Sequence, residues 1–234
     1  MAGIFDIKQV FQRYPCALAF QSKKVYNNGT MHISWLGTTA VKIQTKPLDA
    51  DVTIVIDPYR PAQGEFPRSL APDIALFTRG MDGAITLSGN PFVLSTAGEC
   101  ETKGVLITCV EGESEGCILA RLDAENLSIA HLGLIKKELT EKHLDVVGGV
   151  DILLVPVGGS EGYDAESAMK AVNAIEPRIV IPIACKSEND PSYDPVSAFL
   201  KEMGAASERP EKKIIIKKKD LPQEETKVMV LEKE

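Results

Sequence analysis

Several things are scarce in this sequence, and each scarcity excludes something. Cysteines number five, Cys16, Cys100, Cys109, Cys117 and Cys185, with no C-x-x-C spacing. An odd count without paired spacing argues against a disulfide framework and suits reduced thiols in a cytoplasmic protein. No run approaches the ~20 consecutive apolar residues of a membrane-spanning helix. Met1 to Lys8 lacks the basic and apolar regions of a secretory leader. Positive charge is not in excess: the formal net charge is −7, which argues against sequence-independent nucleic-acid binding. Histidine is rare, with only His32, His131 and His143. No fixed-period repeat and no low-complexity segment occurs.

What is present describes a globular chain. Hydrophobic residues make up 44% and charged residues 25% of 234 positions, enough to bury roughly 70–75% of the unfolded surface. Residues 1–30 read as an N-terminal extension. Ile4, Ile7, Val10 and Phe11 fall at helical spacing, Ala17–Phe20 is strand-like, and Asn27-Asn28-Gly29 signals a turn. Residues 31–234 read as one domain. Its first half is a succession of strands: His32–Leu36, Ala40–Gln44, Val52–Ile56, Ile74–Phe77, Phe92–Leu94, Val105–Ile107 and Cys117–Ala120. The continuous β-branched run Val52–Ile56 suits a strand covered on both faces.

Helices enter in the second half. Leu127–His131, Asp151–Val157 and Ile179–Ile183 read as strands. Lys136–Leu144, Ala165–Ile175 and Val196–Met203 read as helices, the second capped by Asp164. Ile214–Ile216 and Val228–Leu231 read as closing strands. Lysines at 212–213 and 217–219 flank the first of these, as on an amphipathic edge strand protected from aggregation. Strands first and β–α–β units later predict an α/β (α+β) arrangement of two mixed sheets with helices outside.

Six short segments in order carry a resemblance: Trp35-Leu36-Gly37, Ile56-Asp57-Pro58, Gly98–Val105, Ile129–Gly133, Val150–Gly159 and Pro177–Pro182. Together they resemble the metallo-β-lactamase superfamily, in its branch of Zn-dependent hydrolases similar to ascorbate-6-phosphate lactonase. The resemblance spans about Met31 to Leu231 and implies a four-layer αββα sandwich. It also implies a hallmark Thr/Ser-His-x-His-x-Asp-His loop. Imidazoles and carboxylates at that spacing grip two divalent ions, which lower the pKa of a bound water towards ~7 and polarise the substrate.

Here the matching loop is Thr78-Arg79-Gly80-Met81-Asp82-Gly83-Ala84. The resemblance places ligands at Arg79, Met81, Gly83 and Ala84, a bridging aspartate at Leu134 and a last histidine at Ala184. The histidine that usually follows the first Leu-Gly is Thr38, and a usual histidine-bearing loop is the acidic Glu111–Gly116. None of these residues is a metal ligand of the family's kind. Asp57, Arg79, Met81, Asp82, His131, Leu134 and Ala184 therefore mark a vestigial cleft.

The expectation is a non-catalytic metallo-β-lactamase-fold protein that binds an unknown protein or small molecule. No cofactor is expected, zinc only if the ligand positions are misread. The alternative is a divergent hydrolase with a reduced or relocated site, for which Asp82, His131 and Cys185 are the weak catalytic candidates. A Cys185–His131 nucleophile-and-base pair would be its natural form. The Gly158–Gly162 loop before Asp164 offers backbone N–H groups to an anion, against a plain β–α turn. The aromatics of residues 1–30 leave a homodimer contact open.

Overall fold

The computed structural model describes residues 29–206 and 209–234. The helix and strand expected before residue 29, the Cys16 thiol and the homodimer contact fall outside those residues. The described elements run β1 (Thr30–Gly37), β2 (Ala40–Thr45), β3 (Val52–Ile56), β4 (Ser69–Leu70), β5 (Ile74–Leu76), β6 (Thr86–Leu87), β7 (Phe92–Leu94), β8 (Gly98–Thr102), β9 (Val105–Glu111), β10 (Ile118–Ala124) and β11 (Leu127–His131). Then follow α1 (Glu141–Val147), β12 (Ile152–Pro156), α2 (Ala165–Ile175), β13 (Ile179–Ile183), α3 (Val196–Glu202), β14 (Ile214–Lys217) and β15 (Lys227–Val228).

Two mixed sheets carry the fold. One has six strands in the order β14-β1-β2-β3-β5-β7, the other seven in the order β15-β13-β12-β11-β10-β9-β8. Pairing is parallel from β3 through β5 to β7 and from β11 through β12 and β13 to β15, and antiparallel elsewhere in these two sheets. The expected sandwich of two mixed sheets is present.

Period-2 alternation decides which side chains meet between the sheets. Val52, Ile54 and Ile56 of β3 enter the central core, while Val55 joins Leu36 and Ala40 in a second cluster. Ile74 and Leu76 likewise face the core, while Ala75 and Phe77 pack with Tyr59. The outer face of the six-stranded sheet is thus covered by the segment between β3 and β7, through Phe66, Leu70, Ala84 and Leu87. The α-helices lie on the other sheet, α1 against β9 and β10 and α2 against β12, with α3 beside α2. Every residue of β12 and β13 is buried, which is why these strands read as unbroken apolar runs.

The local differences from the sequence reading have physical causes. Helix α1 begins at Glu141, not Lys136. Glu113 Oε1 takes the backbone N–H groups of Lys136 and Lys137, and the Tyr163 hydroxyl donates to the Lys137 carbonyl at 2.6 Å. That segment is spent on tertiary bonds, so Thr140 becomes the cap. His143 closes the capping box and is buried, its Nε2 3.0 Å from the Glu111 carbonyl. It is not a surface residue. Strand β8 was hidden in a polar stretch. It pairs with β9 around Lys103 and Gly104, at φ 51° and 74°, the backbone that a tight hairpin with a right-handed twist requires. Val228–Leu231 is split. Val228 pairs with β13, and Leu231 instead bridges to Glu211. Strand β14 is an edge strand with Ile214 and Ile216 buried and Ile215 exposed.

Candidate functional site

The ends of β1, β3, β5, β11 and β13 meet at one edge of the sandwich. The Ala184 N–H donates to the Thr38 carbonyl at 2.8 Å, and Ile118 N–H to the Thr78 carbonyl at 2.7 Å. Three non-glycine residues there hold left-handed backbone: Thr38 at φ 45°, Asp57 at 50° and Ala184 at 48°. Such conformations cost on the order of 1–3 kcal/mol each and persist where the surrounding structure over-determines them. The frame of the cleft is therefore held against strain.

Asp57 anchors that frame. It is fully buried, and Thr78 donates to its two carboxylate oxygens from the backbone N–H and from the hydroxyl, both at 2.6 Å. His131 is also fully buried. Its Nδ1 accepts the Gly133 N–H at 3.0 Å, so the proton sits on Nε2, which donates to the Thr39 carbonyl at 2.9 Å. Burial holds the His131 pKa below its ordinary value, against the opposing pull of Asp57 and of the Thr39 bond. The ring is thus a neutral strut between two loops.

Its pH signature follows. The unfolded chain protonates this histidine near 6.5 and the folded chain resists doing so, so stability present above that pH is lost as pH falls below it. We expect His131→Gln to remove a slope of up to about 1.4 kcal/mol per pH unit in chemical denaturation between the two pKa values. Identical slopes in the two proteins would refute the assignment.

The hallmark loop is held by Tyr59. Its hydroxyl donates to the Gly80 carbonyl at 2.7 Å and accepts the Arg79 N–H at 3.1 Å. The Arg79 guanidinium lies 4.4 Å above the Tyr59 ring, a cation–π contact, and its nearest carboxylate is Glu161 at 3.9 Å. Burial, with Asp57 nearby, pushes the Tyr59 hydroxyl well above its ordinary pKa, so it stays a donor.

The expected cleft residues do not all converge. Asp57 and Arg79 line a small cavity of about 40 Å³ with Thr38, Thr39, Tyr59 and Asn189. Two of these residues carry buried oxygens, Thr39 Oγ1 and Asn189 Oδ1, with no partner among the described residues. Arg79 and Leu134 line a larger cavity of about 280 Å³. Asp82 and Met81 are exposed on the turn. Ala184 is buried at the end of β13.

The Cys185–His131 pair is absent: both ring nitrogens of His131 are bonded to backbone. Burial pushes the Cys185 thiol up to about 12, which leaves little thiolate at neutral pH. The Gly158–Gly162 loop is a β–α turn. Its N–H groups at 159 and 162 go to the Tyr163 and Gly159 carbonyls, and Asp164 caps α2 from Ser167 N–H at 2.8 Å. Tyr59, Glu113 and Lys136 line these cavities and were not singled out by sequence reasoning. The acidic loop at Glu111–Gly116 was the available signal.

Residues 32–184 match the sequence profile of the beta-lactamase superfamily domain. The chain belongs to the metallo-β-lactamase superfamily. A structure from Thermotoga maritima, assigned as a zn-dependent hydrolase of the metallo-beta-lactamase superfamily, is 26% identical with a TM-score of 0.70, covering 86% of this chain and 98% of its own. Igni18, a metallo hydrolase from Ignicoccus hospitalis KIN4/I, is 14% identical with a TM-score of 0.59, covering 80% of this chain and 98% of its own. An isothiocyanate hydrolase from Delia radicum gut bacteria is 11% identical with a TM-score of 0.56, covering 87% and 97%. The last two show a shared fold.

The superfamily implies metal, and the residues present do not fit one. A zinc site needs three or four nitrogen, sulfur or carboxylate donors converging within about 2.0–2.3 Å of one point. Here Asp57 is occupied by Thr78, His131 by two backbone groups, and His143 by its capping box. Among the described residues no three His, Cys, Asp or Glu side chains are grouped so as to hold an ion. Arg79 adds a fixed positive charge where a cation would have to sit against it.

Proposed function

We propose that this member of the superfamily does no metal-dependent hydrolysis and binds a small molecule in the former metal cleft. One observation carries the reading. The loops keep their strained backbone at Thr38, Asp57 and Ala184, while the ligand positions hold Arg79, Met81, Gly83, Ala84, Leu134 and Ala184. Met81, Leu134 and Ala184 do not close the cleft by packing together. Met81 is 51% exposed, and Leu134 lines an open cavity with Arg79. A scaffold that had only to fold would gain by filling that space. A divergent hydrolase built on Asp82, His131 or Cys185 has no support in this geometry. The four cysteines among the described residues are free, and no helix among them is long and apolar enough to cross a membrane; free thiols fit a cytoplasmic location.

The test is metal analysis by plasma mass spectrometry on the full chain, purified without chelator and then offered Zn²⁺, Mn²⁺ or Fe²⁺. Substoichiometric metal is the expected result. One equivalent of any of the three, lost on replacing Asp57 or His131, would overturn the proposal.

A further inference from the structure

We infer that the 280 Å³ cavity takes a small zwitterion with an apolar body, the chemistry of a free hydrophobic α-amino acid. The inference rests on the reading of a metal-free binding cleft and names the ligand class of that same site. Its volume is at the small end of ligand pockets.

Five apolar residues, Ile118, Leu119, Leu132, Leu134 and Ile135, line the cavity together with Thr78, Ser114 and Cys117. Four of these five are buried, Leu134 partly so. The rim carries both signs of charge, Arg79 and Lys136 against Glu113 and Glu161. Two of the four are positioned. Arg79 is held over the Tyr59 ring, with Glu161 as its carboxylate neighbour at 3.9 Å. Glu113 is held from the other loop, because its Oε1 accepts the N–H groups of both Lys136 and Lys137.

A fixed guanidinium fork matches a carboxylate, and a fixed carboxylate with a free second oxygen matches an ammonium. The rim sums to zero charge, so the pull of Arg79 and Lys136 on a dianion such as phosphate would be offset by Glu113 and Glu161. A simple carboxylate would satisfy Arg79 and leave Glu113 against it. An amine would do the reverse. Only a ligand carrying both charges at one end and an apolar group at the other satisfies the rim and these apolar residues together. Arg79, Lys136 and Glu161 are all exposed; of these Arg79 is held by its contact with the Tyr59 ring, and the other two add little beyond screening.

The test uses three probes with one apolar body: L-leucine, 4-methylpentanoate, which lacks the ammonium, and 3-methylbutylamine, which lacks the carboxylate. Each is titrated into the full chain by calorimetry, with L-methionine and L-phenylalanine as larger bodies, on protein already assayed for metal. At least one of the amino acids should bind about tenfold or more tightly than either single-charge analogue. Arg79→Met should abolish binding of the amino acid and of 4-methylpentanoate. Glu113→Gln should weaken the amino acid about tenfold and spare 4-methylpentanoate; its carbonyl oxygen can still accept the 136 and 137 N–H groups, so the loop should keep its shape. Thermal melting checks that both variants fold. If 4-methylpentanoate binds as well as the amino acids, or none of the probes binds a folded, metal-free chain, the inference is overturned and the metal-free reading stands. Stoichiometric metal in the assayed protein would instead remove the reading beneath it.

Discussion

Phe77→Ala should destabilise the protein by about 3–5 kcal/mol, roughly 6–20 °C in melting temperature for a domain of this size. Phe77 is fully buried on the outer face of the six-stranded sheet. It forms a small cluster with Tyr59 and Ala75, apart from the main core. A satellite cluster of so few residues cannot collapse around the lost ring, so the expectation sits at the upper part of the range for such truncations. The Phe77 and Tyr59 rings lie 5.9 Å apart and tilted by 59°, an arrangement that itself contributes about 0.5–1.5 kcal/mol. The consequence reaches the cleft, because Tyr59 holds both the Gly80 carbonyl and the Arg79 guanidinium. Urea denaturation measures the loss. A change below about 1 kcal/mol would show that the cluster is not what supports the hallmark loop.

Asp57→Ala is the second large effect, expected at about 3–5 kcal/mol. The change orphans a buried N–H and a buried hydroxyl on Thr78, both now donating to Asp57 at 2.6 Å. It also puts a β-carbon without a local hydrogen-bonding group at φ 50°, where aspartate and asparagine are tolerated best. Asp57→Asn separates these contributions. Asparagine keeps the backbone preference and one acceptor, so roughly half the loss should return. In an enzyme of this superfamily such a carboxylate would be examined first for chemistry. Here both of its oxygens are engaged in holding β3 to the hallmark loop. Equal losses for the two variants would argue that the intact carboxylate with both acceptor oxygens, and not backbone strain, dominates.

Much of the architecture was legible in the residues because its causes are local. The continuous β-branched run Val52–Ile56 reports a strand covered on both faces. Asp164 ahead of Ala165 marks the start of α2 because a cap acts over three residues. The identities at positions 79, 81, 83, 84, 134 and 184 are also local facts, legible before any fold is known.

The rest needed the tertiary structure. The start of α1 depends on Glu113 reaching the 136 and 137 N–H groups across more than twenty residues of chain. The protonation of His131 depends on the Thr39 carbonyl, brought to it from the opposite sheet. Periodicity has no access to either. By itself the sequence determined most of the strands and the superfamily, since both are written in residue type and spacing. Only the tertiary structure decided that Met81 points out, that Ala184 closes nothing, and that Arg79 and Glu113 line one cavity. Those are properties of where loops from different strands come to rest, set by packing at the sandwich edge and by a few buried hydrogen bonds.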